Sequence, residues 1–182
     1  QQTLADLGCD YLDLYLIHWP VAMDKNDNSY ISLEDMPLSK TWEAMEKCKE
    51  KGLVKDIGVS NFSVKKLKDL LASCKIKPAV NQVERHPYLQ QPELLDYCIE
   101  NGIILTAYSP LGSRDRPSGL KSDSEIAVLD DPVIAKIAEK HQVTPAQVLL
   151  QWALANKTSV IPKSVSVNRQ KENWEAAAKF VL

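Results

Sequence analysis

The chain has 182 residues, with 22 Lys plus Arg against 24 Asp plus Glu and a formal net charge of −2. This length allows one sizeable core and little more, and 45% apolar residues is ordinary for a globular protein. The charge balance argues against a nucleic-acid or anionic-membrane binder, which needs a basic face, and no apolar run approaches the roughly 18 residues of a membrane span.

The first residue is Gln1 rather than methionine, which leaves room for residues upstream. No basic-then-apolar leader is visible, so a secretory signal is not expected. Cys9, Cys48, Cys74 and Cys98 lie far apart without metal-type spacing. That is the pattern of reduced, packed thiols in a cytoplasmic protein, with no metal site.

Short apolar runs alternate with amphipathic stretches. The first run, Leu12 to Ile17, ends on His18-Trp19-Pro20, and a long loop is expected from Val21 to Lys40. Thr41 to Lys51 places Trp42, Met45 and Cys48 at three-residue steps, and Gly52 stops it. A second run covers Asp56 to Val59. Ser63 then caps a helix carrying Leu67, Leu70, Leu71 and Cys74. After the third run, Ala79 to Val83, a helix opens at Pro92 and ends at Gly102. After the fourth, Ile103 to Ala107, come two helices. Asp131-Pro132 starts one, and Thr144-Pro145-Ala146-Gln147 starts the other as a capping box. A fifth run, Ser159 to Ile161, leads to a last helix from about Ser166 to Ala178.

Strand and helix in strict alternation imply parallel strands with right-handed crossovers. A doubly wound sheet of the dinucleotide type carries a Gly-rich turn after its first strand, and none is present. A β/α barrel fits better. A complete one needs eight units and typically about 250 residues, so about five units make an incomplete barrel.

In a parallel array the strand C-termini share one face. Collected there are His18 and Trp19; Ser60 and Asn61; Gln82, Glu84 and His86; Tyr108 and Ser109; and Lys163 and Ser164. Each has a plain structural reading, as turn former or satisfied core polar group. Polar residues at all five ends exceed what turns require. Ser60, Asn61 and Gln82 suit a carboxamide, and Tyr108 suits a flat aromatic ligand. Arg169 falls in the first turn of the last helix, where a cation opposes the helix dipole. An anion held by Lys163, Arg169 and backbone N–H groups removes that conflict.

These stretches resemble the aldo-keto reductase family, NADP-linked enzymes on a β/α barrel. The matching segments are Leu12–Pro20 (LDLYLIHWP), Gly52–Phe62 (GLVKDIGVSNF), Val80–Tyr88 (VNQVERHPY), Thr106–Ser113 (TAYSPLGS) and Ile161–Asn173 (IPKSVSVNRQKEN). They span nearly the whole chain in family order. The resemblance implies an α/β fold, a (β/α)8 TIM barrel of which residues 1–182 are the C-terminal part of one domain. It implies NADPH as cofactor and an aldehyde or ketone as the small-molecule carbonyl substrate, reduced by direct hydride transfer.

Roles follow from the same resemblance. His18 is similar to the histidine that orients the substrate carbonyl, and Trp19 to a wall of the substrate pocket. Ser60, Asn61 and Gln82 look like the carboxamide holders, and Tyr108 like the tyrosine that stacks on nicotinamide. Ser109, Leu111 and Ser113 look like the pyrophosphate loop, with Asp115 placed to pair with Lys163 across the cofactor. Lys163, Ser164, Ser166 and Arg169 look like the 2′-phosphate site, and Glu172 and Asn173 like adenine contacts. Arg85 departs from the pattern, standing where many relatives carry an uncharged residue.

The family's reaction uses an Asp, a Tyr and a Lys besides this His, and the first three lie in opening β/α units that this sequence does not match. Asp13 and Tyr15 lie an odd number of residues from His18 and point to the other side of the strand, as does Tyr11. Tyr30 reaches the pocket only by loop rearrangement. The chain alone is therefore expected to be inactive, completed by an N-terminal barrel segment or a second chain. The alternative function is a non-catalytic NADPH-binding or accessory subunit with the same barrel.

Overall fold

Runs of β-branched and leucine residues flanked by capped amphipathic segments form strands and helices in alternation, as the pattern requires. The structure, a computed structural model, describes residues 2–24, 26–27, 29–113 and 127–179. Along the chain come α1 (Gln2–Leu7), β1 (Leu12–Ile17), β2 (Ala22–Met23), β3 (Tyr30–Ile31), α2 (Leu38–Glu50), β4 (Val54–Ser60) and α3 (Val64–Leu71). Then follow β5 (Val80–Glu84), α4 (Pro92–Glu100), β6 (Ile104–Tyr108), a 3-10 turn (Val128–Asp130), α5 (Pro132–His141), α6 (Pro145–Ala155), β7 (Ser159–Ile161) and α7 (Val167–Lys179).

Five strands form one sheet in the order β1-β4-β5-β6-β7, and β2 pairs with β3 alone. The ladders β1–β4, β4–β5 and β6–β7 are parallel. Their registers bring strand ends level: Ile17 stands opposite Val59, Ser60 opposite Gln82, and Tyr108 opposite Ile161. No helix among the described residues is long and apolar enough to cross a membrane.

The chain divides into two units, one running to Gln82 and taking up Glu93–Ile104, the other formed by Val83–Pro92 and Leu105 onward. In the first, α2 buries Trp42 and Met45, β4 buries Ile57 and Val59, and α3 buries Leu67 and Leu70. Ser63 caps α3 by accepting the Lys66 N–H at 3.4 Å. A Cβ on Gly58 would stand 2.7 Å from both the Val80 carbonyl oxygen and Leu16, so only glycine allows this close approach.

In the second unit Val128, Ile134, Ala138, Val148 and Leu149 form a cluster against which Leu111 and Leu129 pack. Asp131 caps α5, its carboxylate accepting from Val133 N at 2.7 Å and Ile134 N at 3.1 Å. Thr144 and Gln147 form the capping box of α6. Helix α7 begins one residue after Ser166, whose carbonyl accepts from Gln170 N at 2.9 Å as the first bond of the helix.

Several boundaries differ from the sequence expectation. The segment from Val21 to Lys40 is not one loop, because β2 and β3 form a short antiparallel pair within it and α2 starts at Leu38. Helix α1, six residues long with none of them buried, is too short for a helical period to register from sequence. Cys74 lies past the end of α3, its amide bonded to Leu70 O in the closing turn at 2.9 Å. Strand β1 is largely exposed, with Leu14 and Tyr15 each at 39%, and among the described residues β4 is its one sheet neighbour.

Helix α2 also buries a carboxylate that periodicity did not single out. Glu46 is 4% exposed, and its Oε1 accepts the amides of Lys75 at 2.7 Å and Ile76 at 2.8 Å. Trp42 Nε1 donates to Ile76 O at 2.9 Å. Together they fix the turn that leads into β5. Glu46→Ala leaves two amides unpartnered and is expected to cost roughly 2–4 kcal/mol. Glu46→Gln keeps an acceptor and is expected to cost less than half of that. The urea midpoint at constant slope measures both, and equal losses in the two variants contradict the clamp.

Candidate functional site

In the first unit the polar strand ends satisfy one another. Gln82 O accepts Asn61 N at 2.9 Å and Ser60 Oγ at 2.7 Å. Asn61 Nδ2 donates to His18 O at 2.9 Å and to Ser60 Oγ at 3.2 Å. The Ser60 hydroxyl and both N–H donors of Asn61 are therefore engaged. Their donors are thus committed to the protein itself. Asn61 holds this position at φ +62°, a conformation that asparagine tolerates better than most residues.

His18 and Trp19 follow β1, with ring centroids 6.1 Å apart, and both are exposed, Trp19 at 53%. Their neighbours on β1 are occupied elsewhere. Lys55 Nζ bonds Tyr11 Oη at 2.9 Å and Asp13 Oδ1 at 2.8 Å, and lies 4.1 Å from the Tyr11 ring centroid. Asp13 and Tyr11 thus share one face through Lys55, as the two-residue strand period requires.

In the second unit a cavity of about 780 Å³ collects most of the remaining candidates. This is a volume typical of small-molecule sites. Tyr108, Ser109, Leu111 and Ser113 reach it from the end of β6 and the turn that follows. Lys163 and Ser164 reach it from the segment after β7, and Arg169, Glu172 and Asn173 from the first turns of α7. Asp115 lies outside the described residues.

The turn after β6 is shaped by unusual backbone. Ser109 sits at φ +46° and Gly112 at φ +74°, with Gly112 N donating to Ser109 O at 2.9 Å and Ser113 Oγ to Ser109 Oγ at 2.8 Å. Non-glycine residues at positive φ are costly and cluster at functional sites, and both Asn61 and Ser109 directly follow a strand.

Ser166 is not on the cavity wall. Its amide donates to Ser164 Oγ at 3.2 Å while its carbonyl opens α7, so it shapes the turn that presents Lys163 and Ser164. Arg169 stands in the first turn of α7, which contains no acid. Cation and helix N-terminus therefore favour an anion on the same wall.

Two groups on the wall were not assigned from sequence. Glu84 lines the cavity and is paired with His86, whose Nε2 lies 3.3 Å from Glu84 Oε1. Thr144, with Pro145 and Ala146, brings the N-terminus of α6 to the wall. The capping box marked a helix start, but no feature of the sequence says which way a helix end faces.

Arg85 acquires a structural account. It is 2% exposed, with Nε donating to Gln90 O and Nη1 to Thr158 Oγ1, both at 2.9 Å. The guanidinium lies 4.4 Å from the Trp152 ring centroid, and burial lowers its pKa. It fastens the end of β5 to α6 and the start of β7.

A parallel β/α protein with polar strand ends, a cavity edged by two helix N-termini and cations on its wall is the class these features define. The aldo/keto reductase family model matches residues 1–182. An aldo/keto reductase of Synechocystis sp. is 49% identical, over 97% of this chain and 56% of its own length. Aldo-keto reductase family 1 member A1 of Gallus gallus is 48% identical, over 96% of this chain and 55% of its own. The structure of the aldose reductase from Schistosoma japonicum superposes with a TM-score of 0.85 at 38% identity, covering all of this chain and 57% of that one. The chain belongs to the aldo/keto reductase family, and it spans a little over half the length of the relatives it matches. Its fold is α/β, of the β/α-barrel class, represented here by five strands and their helices.

Asp131 makes one pH dependence explicit. The Tyr88 hydroxyl donates to its carboxylate, and with the α5 amides holds its pKa below the ordinary 3.8. A depressed carboxyl pKa contributes stability that is complete above the ordinary value and is lost as pH falls through the folded one. Asp131→Asn is expected to flatten the acid limb of the stability profile below about pH 4. Urea midpoints across that range read it, and an unchanged slope contradicts this role.

Proposed function

We propose that the chain is the cofactor-holding part of an NADPH-dependent reductase of aldehydes or ketones. The observation that carries this reading is the second unit's cavity, with Lys163 and Arg169 on one wall beside the N-terminus of α7. Two cations and a helix N-terminus match a phosphate ester better than a neutral ligand. The donor set therefore fits a nucleotide with a 2′-phosphate. Lys163, Ser164 and Arg169 would hold that group, Ser109, Leu111 and Ser113 the pyrophosphate, and Glu172 and Asn173 the adenine. Tyr108 would lie against the nicotinamide ring.

When bound, the nicotinamide supplies the hydride. The family reading gives Ser60, Asn61 and Gln82 the carboxamide, His18 the orientation of a carbonyl oxygen, and Trp19 a wall against the substrate. The residue types suit these tasks: Ser, Asn and Gln side chains are neutral and can exchange hydrogen bonds with an amide, and an imidazole donates one hydrogen bond. Residues 1–182 are read as the C-terminal part of one barrel domain. The acid that protonates the developing alkoxide, with the Lys and Asp that tune it, would come from a further β/α segment of the same or a second polypeptide.

The soluble-thiol pattern supports a cytoplasmic setting. A non-catalytic, NADPH-binding subunit differs from the reductase only in lacking that completing segment.

Fluorescence titration tests the reading. The 182-residue chain is expected to bind NADPH at least tenfold more tightly than NADH, the scale of one or two charge-assisted hydrogen bonds. Lys163→Met and Arg169→Met are each expected to shrink that ratio severalfold, with little effect on NADH. Equal affinity for the two cofactors contradicts the proposal. Purified alone, the chain is expected to give no NADPH-dependent reduction of a simple aldehyde, since a missing acid removes a factor of roughly 10² or more. Measurable turnover contradicts the division of roles.

A further inference from the structure

We infer that Thr144 is a positioning residue that sets Glu172 as the acceptor for the exocyclic amine of a bound purine, making the cavity selective for adenine over a 6-oxo purine. The inference rests on the nucleotide reading above and adds to it a residue on a different helix.

The α6 capping box does more than close its own helix. Thr144 Oγ1 accepts Gln147 N at 3.3 Å and donates to Glu172 Oε1 at 2.6 Å. Gln147 in turn accepts Thr144 N on Oε1 at 3.2 Å and donates from Nε2 to Glu172 O at 3.1 Å. The two box residues therefore grip Glu172 by both its carboxylate and its backbone. Gln147 is 1% exposed, and Thr144 and Glu172 both line the cavity.

Capping alone does not need a hydroxyl, because Asp caps a helix as well as Ser or Thr does. What a hydroxyl adds is simultaneous acceptance and donation. The donated bond fixes a long side chain that otherwise keeps its rotamer freedom. One bond uses little of a carboxylate's capacity of about four lone pairs, so acceptor sites remain for a ligand.

The ligand part beside Glu172 must be a donor without negative charge. Glu172 lies three residues after Arg169 on α7, a rise of about 4.5 Å along the helix. Phosphate belongs at the cation and is repelled at the carboxylate. An adenine amine donates to a carboxylate, whereas the 6-oxo group of hypoxanthine presents lone pairs to it.

Calorimetric titration of the full chain with adenosine 2′,5′-bisphosphate and inosine 2′,5′-bisphosphate tests this. The unmodified chain is expected to prefer the adenine probe roughly tenfold. Thr144→Asp keeps a cap but cannot donate, and is expected to bring the preference within about twofold. Thr144→Ser is expected to retain it. A purely structural role weakens both probes alike, so equal losses in Thr144→Asp, or an undiminished preference there, overturn the inference. Should Thr144→Asp fail to fold, Thr144→Gly decides: glycine is tolerated at an N-cap and has no side-chain donor, so a narrowed preference supports the inference and an undiminished one overturns it. Equal binding of both probes by the unmodified chain overturns the positioning role alone. Binding of neither overturns the nucleotide reading and this inference with it.

Discussion

The carbonyl oxygen of Gln82 receives the Asn61 amide at 2.9 Å and the Ser60 hydroxyl at 2.7 Å, and that convergence governs how the strand ends are built. A parallel strand that stops leaves backbone donors and acceptors without a ladder partner, and buried ones must be satisfied locally. Small polar side chains do this at the end of β4, and Asn61 extends the bonding to the His18 carbonyl at 2.9 Å. Meeting the backbone first decides what such side chains have left for a ligand. Their N–H and O–H groups turn inward.

The same economy of polar groups places α7 in the second unit. Gln147 and Gln151, both nearly fully buried on α6, donate to the carbonyls of Glu172 at 3.1 Å and Ala176 at 2.8 Å. These are spaced four residues apart on α7, one helical turn, so both ties fall on one face. Apolar contact alone permits a helix to slide or rotate against its neighbour. Two directional bonds to backbone fix its register, and with it the angular position of Arg169, Glu172 and Asn173. Arg85 acts likewise at the other end of α6, through Thr158 and the face of Trp152.

Much of this was legible in the chain, where local chemistry settles it. Ser63, Asp131 and Thr144 cap the helices their spacing announced, and Gly102 ends the α4 segment at φ +66°. The polar strand ends were readable because alternating apolar runs fix where strands stop. Features set by tertiary neighbours were not. The β2–β3 pair has two residues per strand, too short for any period to register. Glu46 draws no notice on its helix, and Arg85 stands only as a departure from the family pattern, until burial and partners are known. At the candidate site Lys163 and Arg169 were found from charge near a helix start. Glu84 was collected with the strand ends but given no role, and Thr144 read only as a cap, because facing a cavity is a property of packing rather than of sequence spacing.

The cavity's mixed charge carries a consequence for what it can hold. Lys163 and Arg169 alone would suit any small anion, and such sites bind sulfate or phosphate readily. Glu84 and Glu172, which also line the cavity, change that. A carboxylate on a cavity wall is better served by an occupant that brings a donor than by an anion. A bare anion answers the cations and leaves the carboxylates worse off. An occupant that is anionic at one end and rich in N–H or O–H donors elsewhere answers both. Thr144 Oγ1 donates to Glu172 at 2.6 Å and His86 Nε2 lies 3.3 Å from Glu84 Oε1, contacts that keep both carboxylates in place before any ligand arrives. Preorganisation of this kind reduces the ordering cost of binding, and under the proposed function it would favour a phosphorylated nucleoside over its isolated phosphate.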